Sequence, residues 1–323
     1  MTDGYGREID YLRISVTDRC DLRCIYCMPE NGVKSIPRAE ILTYEEIIRI
    51  VRLLSTLGIK KVRLTGGEPL LRKDLPKLVY EIKKIQGIKK VYITTNGMLL
   101  KENLPVLTRA GLDGVNISID ALSEKAFEKI CRRSGADKVL ASIDAALSYP
   151  RLRVKLNCVP IQENYGELLP MVRHFLSDGR LSLRFIEMMP IGMGKQCLGI
   201  PEKELKSMLE SEFGELIALP NEEWDGPSKY YRIGNMPGQI GFISALSHAF
   251  CSECNRIRLR SDGFLKTCLQ YDLGVQLKPL LAQSDSAVLE AVKTAVEEKP
   301  EHHCFRATGG KHLEQLNMSR IGG

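Results

Sequence analysis

The chain has 323 residues, 44% of them hydrophobic and 27% charged, with a formal net charge of +6. That length suits about one large domain and a smaller one, and so mild a charge, with no arginine-rich tract or interleaved aromatics, argues against a nucleic-acid partner. Charged residues break every apolar run well short of the roughly 18 residues a membrane span needs, and the first residues lack the apolar stretch of a signal peptide, so no membrane association and a cytoplasmic location are expected.

The first predicted element is a strand over 11–16, Tyr11-Leu-Arg-Ile-Ser-Val16, where apolar and polar residues alternate. It runs into Cys20, Cys24 and Cys27, a C-x3-C-x2-C loop. Three cysteines with no histidine among them are one ligand short of a closed tetrahedral zinc site. They suffice for a cubane iron–sulfur cluster that leaves one iron open to a small molecule. A zinc site with a borrowed fourth ligand, or three buried thiols, are the plainer readings. A helix follows over Tyr44–Leu57, started by Thr43 with Glu45 and Glu46 in its first turn and closed by Gly58. Further strands are expected at 59–65, 88–94, 112–119, 152–159 and 181–187, with helical patterns between them, such as Lys73–Ile85; Gly111 closes another helix.

Six strand-then-helix units imply a parallel sheet with right-handed crossovers, and six rather than eight imply a partial barrel open on one side. Ligands gather at the C-terminal ends of such strands. The motifs obey that rule: the cysteines follow strand one, Thr65-Gly-Gly-Glu-Pro69 ends strand two, Thr94-Thr-Asn-Gly97 ends strand three, and Ser118 to Asp120 end strand four.

After residue 190 the pattern changes to a loop at Pro190–Gly194, a helix at Glu202–Glu212, a turn-rich connector at 220–227 and strands at 229–233, 239–243, 255–260 and 263–267. The expected organisation is therefore an α/β core over 4–220 and a smaller α+β domain over 221–323 that covers the open side, with a polar, mobile tail from Lys299. This second part carries Cys251, Cys254 and Cys268, another triad, which with His248 also reads as a Cys3His zinc site. No role is assigned to Cys131, Cys158, Cys197 or Cys304. Arg13, Arg63 and Lys155 alternate with apolar neighbours, which would turn them towards a barrel interior. Charges there need a counter-ion, and guanidinium groups suit a small anionic ligand such as a phosphate. The histidines form no general-base constellation, and no Gly-x4-Gly-Lys-Ser/Thr loop is present.

The first cysteine loop, with Tyr26 before its last cysteine, resembles that of the radical S-adenosylmethionine (SAM) enzymes. Leu12-Arg-Ile-Ser-Val-Thr-Asp-Arg-Cys20, Arg63-Leu-Thr-Gly-Gly-Glu-Pro69, Thr94-Thr-Asn-Gly97, Arg184-Phe-Ile-Glu187, Cys254-Asn-Arg-Ile-Arg258 and the terminal Gly322-Gly323 occur in that order. Together, over nearly the whole chain, they resemble the GTP 3′,8-cyclase family, which begins molybdenum cofactor biosynthesis. The resemblance implies a radical SAM partial (β/α)6 barrel and two [4Fe–4S] clusters, one on Cys20, Cys24 and Cys27 and one on Cys251, Cys254 and Cys268. It implies SAM contacts at Tyr26, Gly67, Ser118 and Met189. It implies GTP contacts at Arg13, Arg63, Thr94, Lys155, Arg256, Ile257 and Arg258, and a catalytic set of Cys20, Cys24, Cys27, Arg256 and Arg258. The implied reaction takes hydrogen from C3′ of GTP and joins C3′ to C8, and the terminal Gly-Gly is implied to reach the active site. A flavodoxin- or ferredoxin-like electron donor and cyclic pyranopterin monophosphate synthase as the next enzyme are implied, with a homodimer left open. Two rivals stand beside it. One is a radical SAM peptide-modifying maturase, whose C-terminal extension usually holds more cysteines and lacks Cys-Asn-Arg-Ile-Arg. The other is a zinc-stabilised nucleotide-binding module without redox chemistry.

Overall fold

Alternation along the strands builds the sheet. Leu12 and Ile14, Val62 and Leu64, and Val154 and Leu156 are all buried in the apolar core, and successive strand residues point to opposite faces. Arg13, Arg63 and Lys155 therefore point away from that apolar layer. The computed structural model describes residues 1–220, 224, 226–305 and 313–322.

The strands β1 (Tyr11–Ser15), β2 (Lys61–Thr65), β3 (Lys90–Thr95), β4 (Gly114–Ser118), β5 (Arg153–Cys158) and β6 (Ser182–Ile186) lie side by side in chain order, all parallel. Between them run α1 (Tyr44–Thr56), α2 (Leu75–Lys83), α3 (Leu100–Arg109), α4 (Glu124–Cys131), α5 (Ala136–Leu147) and α6 (Leu168–Phe175). The expected start of α1 is a complete capping box: Thr43 Oγ1 accepts from Glu46 N, and Glu46 Oε2 accepts from Thr43 N. Gly58, just past its end, has a φ of 98° that other residues rarely adopt. β1 and β6 do not pair, so the six units form a partial (β/α)6 barrel.

The rest of the chain comprises α7 (Glu202–Phe213), β7 (Leu216–Leu219), β8 (Lys229–Ile233), β9 (Gln239–Ile243), β10 (Arg256–Leu259), β11 (Phe264–Lys266), β12 (Gly274–Gln276), α8 (Asp285–Glu297) and α9 (Met318–Ile321). Its strands join the same sheet at both edges: β9 pairs parallel with β6, and β10 pairs parallel with β1. The sheet order is β12-β11-β10-β1-β2-β3-β4-β5-β6-β9-β8-β7. The C-terminal strands thus flank the opening of the barrel from both sides.

The described stretches of the tail include buried residues. Lys299 is 2% exposed and donates to Thr267 O, and Ile321 is 1% exposed. Residues 221–223 and 225 of the connector at 220–227 lie outside the described residues, as do Gly309, Gly310 and Gly323.

Candidate active site

Strand register concentrates positive charge on the inner face. One rung runs Arg258–Arg13–Arg63 across β10, β1 and β2, and the next runs Arg256–Tyr11–Lys61. Neighbouring strands are about 4.8 Å apart, so five cations share a small patch with one phenol. A cavity of about 370 Å³ opens onto it, and Arg184 joins from β6. Among the described residues, the two acids in its wall are already engaged. Asp120 accepts from Tyr26 Oη at 2.5 Å, and Glu187 accepts from Leu246 N, Ser247 N and Ser247 Oγ. Buried Nε atoms of Arg184 and Arg256 have no hydrogen-bond partner. The arrangement calls for an anion with several oxygens.

Tyr11 answers that charge in part. Its hydroxyl oxygen accepts from Arg63 Nε at 2.5 Å, and Lys61 Nζ lies 4.5 Å from its ring centroid. Burial pushes the phenol up, but Arg63, Arg13, Lys61 and Arg256 together bring it down to about 6. Burial in turn draws the Lys61 ammonium down to about 8, with Tyr11 opposing and Arg63 assisting.

The cysteine triads stand at opposite ends of this patch. Cys20, Cys24 and Cys27 follow the C-terminal end of β1. Cys251 and Cys254 precede β10, which is parallel to β1, and Cys268 follows β11, which is antiparallel to β10. That places the second triad at the N-terminal end of the sheet. All six cysteines line the same cavity.

The donor sets fit clusters. Among the described residues no three Cys, His, Asp or Glu side chains stand close enough to bind a single metal ion. Mononuclear zinc draws four donors to about 2.0–2.3 Å of one ion, whereas a cubane gives each thiolate its own iron and accepts wider spacing. Burial pushes Cys27 up to about 12 and Cys20 well up, a penalty that a cationic partner removes. His248 is no fourth ligand: it is outside the cavity wall, its side chain 58% exposed and its Nε2 3.9 Å from Glu202 Oε1. His303 does line the wall, and its backbone N donates to Cys251 Sγ at 3.4 Å.

Around the first triad, Tyr26, Gly67, Ser118 and Met189 all line the cavity. Gly67 is also required by packing. A Cβ there would lie 2.2 Å from Arg19 O, so glycine is needed for the cysteine loop to pack against the Gly-Gly turn. Glu68 ties that turn to strand three, accepting from Thr95 Oγ1 at 2.8 Å and Asn96 N at 2.7 Å.

Of the residues implied for GTP, Arg13, Arg63, Thr94, Arg256 and Arg258 line the cavity, and Thr94 Oγ1 accepts from Arg63 Nη1 at 3.3 Å. Lys155 instead lines a small adjoining chamber with Arg63 and Arg184, where its Nζ donates to Tyr230 Oη at 2.5 Å. Ile257 takes the opposite face of β10. It is fully buried in the apolar core, on the face away from its arginine neighbours, so only its backbone could meet a ligand. Gly322 is at the site: Arg258 Nη1 donates to its carbonyl at 2.9 Å. Lys61, Arg184 and Tyr11 were missed as site residues. Lys61 lies two residues before Arg63 on one strand face, a spacing that was available to find it.

Comparison with known proteins agrees with this geometry. Residues 14–175 match the radical SAM superfamily, and residues 181–305 match a family described as Molybdenum Cofactor Synthesis C. The GTP 3′,8-cyclases of Clostridium perfringens (strain 13 / Type A) and Petrotoga mobilis are each 42% identical to this chain, and the alignments cover 100% of both partners. Among solved structures, Streptococcus suis SuiB bound to S-adenosylmethionine superposes with a TM-score of 0.63 at 13% identity, covering 91% of this chain and 68% of that one. That likeness bears on fold alone. Among the described residues no helix is long and apolar enough to cross a membrane. With relatives this similar along its full length, the chain belongs to the GTP 3′,8-cyclase family of radical SAM enzymes.

Proposed function

We propose that this enzyme converts GTP to 3′,8-cyclo-7,8-dihydro-GTP with SAM and two [4Fe–4S] clusters. The observation that carries the reading is one cavity with a cysteine triad at each end and six cations between them. When bound, the clusters supply one-electron chemistry, including reductive cleavage of SAM to a 5′-deoxyadenosyl radical.

The protein's own residues bind and orient. Cys20, Cys24 and Cys27 hold the first cluster, with SAM beside it against Tyr26, Gly67, Ser118 and Met189. The Tyr26–Asp120 bond fixes the ring that faces SAM. Arg13, Lys61, Arg63, Arg184, Arg256 and Arg258 hold the triphosphate, with Thr94 positioning Arg63 and Lys155 acting from the adjoining chamber. Cys251, Cys254 and Cys268 hold the second cluster, placed to meet the guanine base. Anchoring both ends of GTP brings C3′ and C8 into reacting distance of their partners, which can supply about 7–11 kcal/mol of barrier lowering. Residues 4–220 form the catalytic core, and 221–323 carry the second cluster and the Gly-Gly end. The enzyme is cytoplasmic, takes electrons from a flavodoxin- or ferredoxin-like donor, and passes its product to cyclic pyranopterin monophosphate synthase.

The test is anaerobic incubation of the reconstituted protein with SAM, reductant and GTP, with products identified by mass spectrometry. Formation of 5′-deoxyadenosine together with the cyclised nucleotide is expected. Cleavage of SAM with GTP recovered intact would reject GTP as substrate.

A further inference from the structure

Cys131 takes no part in the cavity chemistry above, yet its Sγ lies 3.7 Å from Cys24 Sγ. Among the described residues this is the only hydrogen bond between two thiols. Cys131 is the last residue of α4 and is 3% exposed, whereas Cys24 lines the cavity. The pair is held by backbone, independently of any metal. Arg23 N donates to Cys131 O at 2.9 Å, and Ile25 N donates to Ile130 O at 2.9 Å. The next residue, Arg132, ends the helix with a φ of 56° and sends Nη1 to Met28 O at 3.2 Å. The end of α4 is thereby stitched to the cysteine loop on both sides of Cys24.

We propose that Cys131 is a resolving thiol for the first cluster site: when that cluster is lost to oxidation, Cys24 and Cys131 close a reversible disulfide. The proposal rests on Cys24 being a cluster ligand. The oxidant is a hydroperoxide, in the simplest case hydrogen peroxide. The Cys24 sulfur, having released its proton, attacks it, an S–O bond forms and the O–O bond breaks; the departing hydroxide takes up that proton, so a sulfenic acid and one water result. The Cys131 sulfur then attacks the sulfenic sulfur, an S–S bond forms, the S–O bond breaks, and a second water leaves. Two thiols lose two electrons and two protons, and the peroxide becomes two waters. Reaching a bond length of about 2.05 Å requires the sulfurs to close by roughly 1.6 Å. A sulfenic acid with no thiol in reach proceeds to sulfinic and sulfonic acids, which are not readily reversed. Cys131 diverts Cys24 from that route into a form that a dithiol reductant restores, leaving the loop ready to be refilled.

The experiment uses full-length protein reconstituted anaerobically with iron and sulfide. Its iron is counted first, which scores the cluster assignment separately from the disulfide. The protein is then exposed to hydrogen peroxide with a chelator, blocked with N-ethylmaleimide, digested and mapped by mass spectrometry. The Cys24–Cys131 link should exceed links within Cys20, Cys24 and Cys27 by about fivefold. In Cys131→Ser, Cys24 should accumulate as sulfinic or sulfonic acid, and iron reloading after dithiothreitol should fall about threefold below wild type. Cys131→Ala repeats the comparison without adding a buried hydroxyl. Cys131 recovered as the alkylated free thiol while Cys24 pairs with Cys20 or Cys27 overturns the proposal. So does equal iron reloading in wild type and both variants.

Discussion

Replacing Gly322 with alanine adds one methyl group and should unseat the end of the chain from the active site. Gly322 has a φ of 83°, and a Cβ there would lie 2.9 Å from both Ser15 Cβ and Thr65 Oγ1. The left-handed backbone costs a non-glycine residue about 1–2 kcal/mol. Forcing the methyl against well-packed neighbours adds about 1–3 kcal/mol. Ser15 and Thr65 have little room to withdraw, being partners across β1 and β2 and each 1% exposed. Against this stands the seat itself. The Arg258–Gly322 bond contributes about 1.5–3 kcal/mol, and the buried Ile321 side chain about 1.5–3 kcal/mol. Penalty and seat are of the same size, so the substitution should release the tail without unfolding the sheet. Hydrogen exchange read by mass spectrometry reports it: the amides of Arg320 and Gly322, bonded to Asn317 O and Met318 O, should lose protection. Iron content should be unchanged, and GTP turnover should drop. A Gly322→Ala protein with wild-type protection over 318–322 would refute the steric argument. Lost protection with full turnover would show that the seated tail has no part in catalysis.

Arg256→Ala or Arg258→Ala should each weaken GTP binding by about 1.5–3 kcal/mol, the range for a hydrogen bond to a charged group. Anaerobic titration with parallel iron counts checks this, and unchanged affinity in both would remove them from the binding site. Serine at Cys20, Cys24 or Cys27 should eliminate one cluster and all 5′-deoxyadenosine formation, because alkoxide is a poor substitute for thiolate at iron. Cys268→Ala should spare SAM binding and lose the other cluster; an undisturbed second cluster in its spectra would mean that Cys268 is not the third ligand. Tyr11 makes GTP affinity depend on pH. Its free-protein value of about 6 lies below the usual phenol value, because the surrounding cations outweigh burial. In the absence of ligand, the stability it contributes is complete above its unfolded value of about 10 and is lost as pH falls through about 6. A bound triphosphate neutralises those cations and sends the phenol back up, so binding takes up a proton. Affinity should therefore fall between about pH 7.5 and about pH 8.5 in wild type; Lys61, drawn down to about 8, loses charge in the same range, so Tyr11→Phe should make the fall shallower without abolishing it. Equal pH profiles for the two proteins, measured by calorimetry, would contradict a charged Tyr11.

Much of the barrel was legible because its signals are local. Alternation located β1, β2 and β5, and the capping residues around Thr43 located α1. The C-terminal strands at 229–233 and 239–243 were found to the residue. Their destination was not legible. Nothing local in 239–243 or 255–260 says that one pairs with β6 and the other with β1, since such pairing is decided by side chains far away in the chain. The same limit explains the site. Arg13, Arg63, Arg256 and Arg258 were readable as cations on strands, but the two rungs they form exist only in the register. Tyr11 looked like an ordinary strand aromatic until the register set it between Arg256 and Lys61. Cys131 carried no pattern of its own, because its partner lies 107 residues earlier in the chain.

The parallel ladder between β1 and β10 also bears on how the protein is made. It joins Tyr11 to Arg256 and Leu12 to Ile257, so β1 waits for a strand made much later. Contacts this distant in sequence form late and slow folding. Until they form, β1 is an unpaired edge with apolar Leu12 and Ile14 beside it, the kind of edge that recruits other chains. A fragment ending near residue 220 would keep every cysteine of the first triad and still display that edge together with the bare edge of β6. Such a fragment should aggregate on expression, and the cation rungs would be split, because Arg256 and Arg258 arrive only with β10. The substrate pocket is therefore complete only once β10 has taken its place beside β1.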